Sequence, residues 1–220
     1  MVGCGGIVYK DAAASYVVAG HAATKSIQDA ATALRGPDGR PAIQRANASF
    51  RWTGSWVTVT LAVDPMGAEG VTPELRRGLM RELDAKRLSG YDIEITAPAY
   101  VPIELSIEFS TRAGFQQADV QQALLLALGS GRFFHPDNFT FGDPVIVSRL
   151  FAVMAAVAGV QNVRITRLAR LHAAQPARET AVNLAQGYLT VGHDEIIRLD
   201  NDRNSPQNGT LSIQPMRGQS

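Results

Sequence analysis

A single cysteine, Cys4, stands in a chain of 220 residues, too few for an internal disulfide framework or a cysteine-rich zinc site. That usage fits a reducing compartment, so synthesis in the cytoplasm is expected. Charge of one sign is lacking as well. Twenty-one Lys and Arg face twenty Asp and Glu, for a formal charge of +1, and nothing at that level points to nucleic acid as a partner. Long apolar runs are missing. The opening stretch, Met1 to Gly20, is interrupted by Lys10 and Asp11, is too short for a membrane span, and has no basic region ahead of its apolar residues. Neither a transmembrane segment nor a secretory signal is expected there.

Signatures of chemistry are equally sparse. The four histidines, His21, His135, His172 and His193, show no HExxH or paired spacing. His193 has acids beside it in Asp194 and Glu195, a pattern that also suits a hairpin turn. Gly3-Cys4-Gly5-Gly6 has no strand before it and no GK[ST] after it, and Cys4 has no neighbouring base to activate it. Asp200, Asp202 and Asn204 begin like a calcium loop. The match fails at Ser205, where a sharp turn needs glycine, and at Leu211, where a bidentate Glu belongs. Two Asx-rich turns, Asn201 to Asn204 and Pro206 to Gly209, account for the run. No GxSxG elbow is present, and Glu104 and Glu108, two strand steps apart, read as a solvated strand face. No catalytic residue, cofactor or metal ligand is assigned, and the chain is not expected to be an enzyme.

What is abundant is pattern. At 45% hydrophobic the chain can bury a sizeable core. Thr24 to Arg35 predicts a short helix with Ile27, Ala31 and Leu34 on one side. Ser49 to Trp52 and Trp56 to Val63 predict a strand pair, the second alternating through Val57, Val59, Leu61 and Val63. Thr72-Pro73-Glu74 opens a helix with a hydroxyl cap, a first-turn proline and an acid near the positive end of the dipole; Leu75, Leu79 and Leu83 mark its buried stripe. Strands follow at Asp92 to Thr96 and Pro102 to Thr111, then a helix from Gln117 to Leu128, an apolar helix from about Val145 to Ala158 with Asp143 as N-cap, and a strand from Gln161 to Leu168. Ala173 to Ala185 reads as a loose connector before short strands at Tyr188 to Val191, Glu195 to Leu199 and Thr210 to Gln214. The order predicts an α+β fold: a ferredoxin-like split βαβ sandwich with an added helix and a C-terminal β extension. Boundaries are placed to give residues 1–41 as an unassigned segment with a short helix, 42–171 as the α+β domain, and 172–220 as connector and strand extension.

Phe133 to Pro144, FFHPDNFTFGDP, holds four phenylalanines among turn-forming residues. Rings of this size must close a core or meet another chain. The expectation is a docking loop, with Phe133, Phe134, Phe139, Phe141, Trp52 and Trp56 as interface candidates, although each ring taken singly suits its own core equally well. Arg164 and Arg167, around the strand RITRLARL, join them as a rim for an acidic protein surface.

Four blocks carry a resemblance: RWTGSW at Arg51 to Trp56, Leu88 to Leu105, Phe133 to Phe151, and Arg198 to Ile213. In this order they resemble the C-terminal part of the baseplate assembly proteins, the J-like wedge family of contractile phage tails and phage-tail-like injection systems, over about Ala42 to Gln214. The resemblance implies a structural wedge component that acts through protein–protein assembly within a particle, with other wedge subunits, hub and spike proteins and sheath-associated proteins as partners. It supplies no active-site residues. A cell-surface carbohydrate-binding module of the same particle is the alternative, since an aromatic loop can stack on sugars.

Overall fold

Val59, Leu61 and Val63 alternate with more polar neighbours, the period that lets a strand bury one face only. In the computed structural model, which describes residues 25–36, 38–52, 57–67, 70–84 and 92–216, these valines and leucine lie at the centre of a first unit. Helical residues 25–32 (α1) lead to β1 (Ile43–Trp52), which pairs antiparallel with β2 (Val57–Pro65). Helix α2 (Pro73–Asp84) then crosses over to β3 (Asp92–Thr96), which lies parallel beside β2. The N-terminus of α2 forms as its sequence dictates: Leu75 N–H donates to Thr72 Oγ1 at 3.2 Å, and Glu74 occupies the first turn. Ile27 and Ala31 of α1, Leu79 and Leu83 of α2, and Ile43, Val59, Leu61, Val63 and Ile95 from the sheet share one core.

The second unit is organised around β4 (Ala99–Thr111). Ile103, Leu105, Ile107 and Phe109 all point into its core, while Glu104, Ser106, Glu108 and Ser110 alternate on the other face. Helix α3 (Gln117–Leu128) contributes Val120, Leu124 and Leu128 to that core. Strand β5 (Val145–Ile146) runs into α4 (Val147–Ala155), which contributes Val147, Leu150 and Met154. Strand β6 (Val160–Arg170) pairs antiparallel with β4. After α5 (Pro176–Gln186), β7 (Tyr188–Leu189) pairs with β5. Strands β8 (Glu195–Arg198) and β9 (Thr210–Pro215) both lie parallel to β4 on its far side, β8 along Ala99–Pro102 and β9 along Glu104–Phe109. One edge of β4 is thus filled by two strands in tandem, with residues 199–209 looped out between them.

The fold is α+β, as expected, but the split βαβ sandwich is not what the strands build. That arrangement needs a strand inserted between β2 and β3 in one sheet, whereas these are direct parallel neighbours and β4 and β6 belong to a different sheet. The chain divides between Pro98 and Ala99, inside the segment 42–171 expected as one domain. Ile27 and Ala31 pack in the same core as Leu79 and Ile95, which ties the segment before residue 42 to the first unit. Strand β9 pairs along the middle of β4 and is integral to the second unit, not an extension from it.

Two local expectations change for physical reasons. The helix after the aromatic loop begins at Val147, because Val145 and Ile146 pair with β7 and the Asp143 carboxylate accepts from Thr140 N–H at 3.1 Å. Its Phe151 remains exposed, so α4 is buried on one face only. Residues 173–185, expected as a connector, instead hold most of α5, started by Pro176 and stopped by Gly187 in the left-handed conformation. The residues that α5 turns inward, Thr180 and Asn183, are polar and so left no apolar stripe to read. They hydrogen-bond the backbone of β6: Leu168 N–H donates to Thr180 Oγ1 at 3.1 Å and Asn183 Nδ2 donates to Leu168 O at 2.9 Å.

Candidate assembly surface

Helix α3 ends at Gly129, whose N–H donates to Leu125 O, and the chain turns at once into the aromatic loop. Asn138 holds the first turn closed, its Nδ2 donating to Arg132 O at 2.6 Å and Phe133 O at 3.1 Å. A short 3-10 turn, Pro136–Asn138, is capped by His135, whose Nδ1 accepts from Asp137 N–H at 3.2 Å. The ring nitrogen of His135 is therefore occupied with a structural task. Gly142 takes a φ of 73° and donates its N–H to Glu195 O, anchoring the loop to β8.

These turns place the rings inward. Phe134, Phe139 and Phe141 are 4%, 5% and 7% exposed. Phe134 and Phe139 stack with centroids 5.6 Å apart, and Phe133 meets both edge-on, at 4.9 and 5.9 Å. Only Phe133 stays half-buried, with the Arg149 guanidinium 6.0 Å above its ring. Of the loop's four rings, three close the core of their own unit. Trp52 ends β1, its backbone paired with Val57, while its side chain and the whole of Trp56 lie outside the described residues.

Arg164 and Arg167 stand on the open face of the β4–β6 pair, and the two glutamates from the same face meet them. Arg164 Nη2 donates to Glu108 Oε2 directly across the ladder, and Arg167 Nη1 reaches both carboxylate oxygens of Glu104 at 2.9 and 3.0 Å. Cross-strand pairs of this kind are worth roughly 0.2–1 kcal/mol each. Glu104, Glu108 and Arg167, together with Ser106, Thr166, Ser212 and Gln214, line a polar groove of about 360 Å³. The rim and the carboxylate face, separate features in the sequence, are one salt-bridged surface.

Apolar exposure in the second unit lies elsewhere than the loop. Phe115 is 49% and Leu126 65% exposed, and Ile146 on β5 sits opposite Tyr188 on β7, at 36% and 41% exposed. A run of ordinary helix or strand letters gave these positions no distinguishing mark. In the first unit Met66 and Met80 are exposed, and Met80 lies beside Arg76, Arg77 and Arg81 of α2.

For chemistry the described residues offer little. Among them, no three His, Cys, Asp or Glu side chains are gathered as metal ligands would be. His172 and His193 are exposed, and His21 and Cys4 fall outside the described residues. Asp200 is engaged by Arg198, which donates to it from Nε at 2.8 Å and from Nη2 at 2.5 Å, and Asp202 accepts from Asn204 N–H in an Asx turn. Among the described residues no helix is long and apolar enough to cross a membrane.

Residues 26–96 match the family model described as the Baseplate J-like central domain. That range takes in α1, β1, β2, α2 and β3, and begins ahead of Ala42, where the resemblance read from the sequence began. No curated protein matches the chain. Among solved structures, a chain in the cryo-EM structure of the anti-feeding prophage (AFP) baseplate, 6-fold symmetrised, is similar with a TM-score of 0.49 and 12% identity, over 80% of this chain and 36% of that one. The chain spans about a third of that protein's length.

Proposed function

We propose that this chain, whose residues 26–96 match the Baseplate J-like central domain, is a non-enzymatic wedge component in the baseplate of a contractile phage tail or phage-tail-like injection particle. It works by assembly: made in the cytoplasm, it joins other wedge subunits and the hub, spike and sheath-associated proteins. The family match is the observation that carries this reading, and the balanced charge agrees with it. Phe133 with Arg149 stacked on it, and the Arg164 and Arg167 rim, are the expected candidates that present surface to a neighbour. Phe134 and Phe139 pack against the Phe133 ring. Sugar stacking needs open ring faces, and the burial of Phe134, Phe139 and Phe141 removes the feature that favoured a carbohydrate-binding module.

The test is genetic and structural. Deleting the gene in the producing strain should abolish assembled tails or injection particles, and an affinity-tagged chain should be recovered within intact particles. Normal particles in the deletion strain, or a chain absent from particles purified from the tagged strain, would refute the proposal.

A further inference from the structure

In the second unit, side chains plug the outer edge of β9 and one end of β6 and leave the middle of β6 bare. On the outer side of β9, Leu211 N–H donates to Asn201 Oδ1 at 3.0 Å and Ile213 O accepts from Gln121 Nε2 at 2.7 Å. On the outer side of β6, α5 meets Leu168 through Thr180 and Asn183, and Arg170 N–H donates to Glu179 Oε1 at 3.3 Å. Unpaired strand edges are templates for another chain, and such side-chain plugs are how a fold blunts them.

The rest of β6 has no such cover. Met216 N–H donates to Phe109 O and Leu171 N–H donates to Pro102 O, so odd-numbered residues of β4 turn their backbone groups toward β9 and even-numbered ones toward β6. Glu108 and Ser110 are in register with Arg164 and Asn162. These pairs therefore exchange the ladder bonds, and Val163 and Ile165 must turn their N–H and C=O groups away from the sheet. Among the described residues no hydrogen bond reaches those groups. Asn162, Arg164 and Thr166 along this stretch are exposed.

We propose that the Gln161–Ile165 edge of β6 receives an extended arm of a neighbouring subunit, which adds one strand to the sheet. This rests on the assembly role proposed above and names one surface that would serve it. The occupant follows from the geometry. Donors and acceptors alternating at strand spacing are satisfied together only by another strand. The bare stretch is closed off at Leu168 by α5 and preceded by the turn at residues 156–159, leaving room for roughly four or five extended residues. A second copy of β6 would carry its own α4 turn and α5 into both ends, whereas a slender arm brings nothing bulky. Its residues flanking Val163 and Ile165 would be apolar and those flanking Asn162 and Arg164 polar, following the two faces of β6.

The N–H of Val163 makes no ladder bond, so Val163→Pro removes an outward donor while leaving the β4–β6 ladder intact; Val163→Thr keeps the donor and is the control. Circular dichroism and thermal melting of the isolated variants establish that each folds. Wild-type and Val163→Thr chains should enter particles equally, and their Val163 and Ile165 amides should exchange at least about tenfold more slowly in the particle than in the isolated chain. A folded Val163→Pro chain should fall at least about tenfold in particle incorporation. Val163→Pro entering particles normally, or unchanged exchange at both amides, would overturn the inference and leave the assembly role standing. A dimer of the isolated chain abolished by Val163→Pro would make a second copy the occupant and overturn it too. A wild-type chain that enters no particle would refute the assembly role itself.

Discussion

Replacing Gly209 with Ala tests whether β9 is locked into the sheet by a close backbone crossing. Gly209 sits where the looped-out residues 199–209 rejoin the sheet, with φ 105° and ψ 149°, a region open in practice only to glycine. A Cβ there would lie 2.8 Å from Arg198 O, 2.9 Å from Leu199 Cα and 3.0 Å from Ile103 O. All three are backbone atoms of strands or their immediate ends, so none can rotate away. Backbone strain costs about 1–3 kcal/mol and the overlap about the same again, and the middle of both ranges gives a total of about 4 kcal/mol. Gly187 supplies the comparison: its φ is 84°, yet a Cβ would meet nothing within 4 Å, so Gly187→Ala should cost only about 1 kcal/mol. Because the chain holds two units, a single melting temperature would mix their transitions, and hydrogen exchange of peptides from residues 195–216 is the better assay. At about 1.4 kcal/mol per tenfold, the slow β9 amides should exchange roughly 700-fold faster in Gly209→Ala and about fivefold faster in Gly187→Ala. Equal effects of the two changes would refute the claim that backbone crowding fixes this junction.

Other side chains make narrower predictions. Phe139→Ala should destabilise the isolated second unit by about 3–5 kcal/mol, seen as lost exchange protection across α3 and β4, because the ring is buried against Phe134; a variant as protected as the wild type would mean the ring is not a core element. Asn183→Leu should cost about 1–3 kcal/mol by leaving Leu168 O unpaired beneath α5, with faster exchange concentrated in β6 and α5. The double-mutant cycle of Glu104→Gln and Arg167→Gln should return a coupling of no more than about 1 kcal/mol in denaturant unfolding, since both partners keep partial solvent contact. A coupling several times larger would show that the open face is drier than its exposure implies.

How much of this was legible beforehand depends on which physical signal each element carries. Strand β4 was readable from Pro102 onward, though not its first three residues, because one dry face imposes strict alternation from Ile103 to Phe109. The start of α2 was readable because capping is local chemistry, and Thr72 does cap it. Partnership between strands is not local. Whether β3 would join β2, or β4 join either, depends on which cores form, and alternation reads the same in both cases. Helix α5 was missed because its inward residues serve β6 by hydrogen bonding, a role that shows in sequence as ordinary polar letters.

The aromatic loop shows the same limit from the other side. Four rings in twelve residues announce that a large apolar area must be covered, and composition has no term for the side from which the cover comes. That is decided by Asn138 clamping Arg132 and Phe133, and by Gly142 pinning the loop to Glu195, bonds that turn Phe134, Phe139 and Phe141 toward their own sheet. The arginines follow suit, since only the β4–β6 register sets Arg164 against Glu108. Surface left for a neighbour is therefore what intramolecular pairing fails to use, and it can be found only after that pairing is counted. By that count the outward backbone of Val163 and Ile165 is such a remainder, next to β9 and the α5-covered end of β6, which have their plugs. An assembling protein needs such a remainder, for a surface whose bonds are all satisfied within the chain gives a partner little to gain.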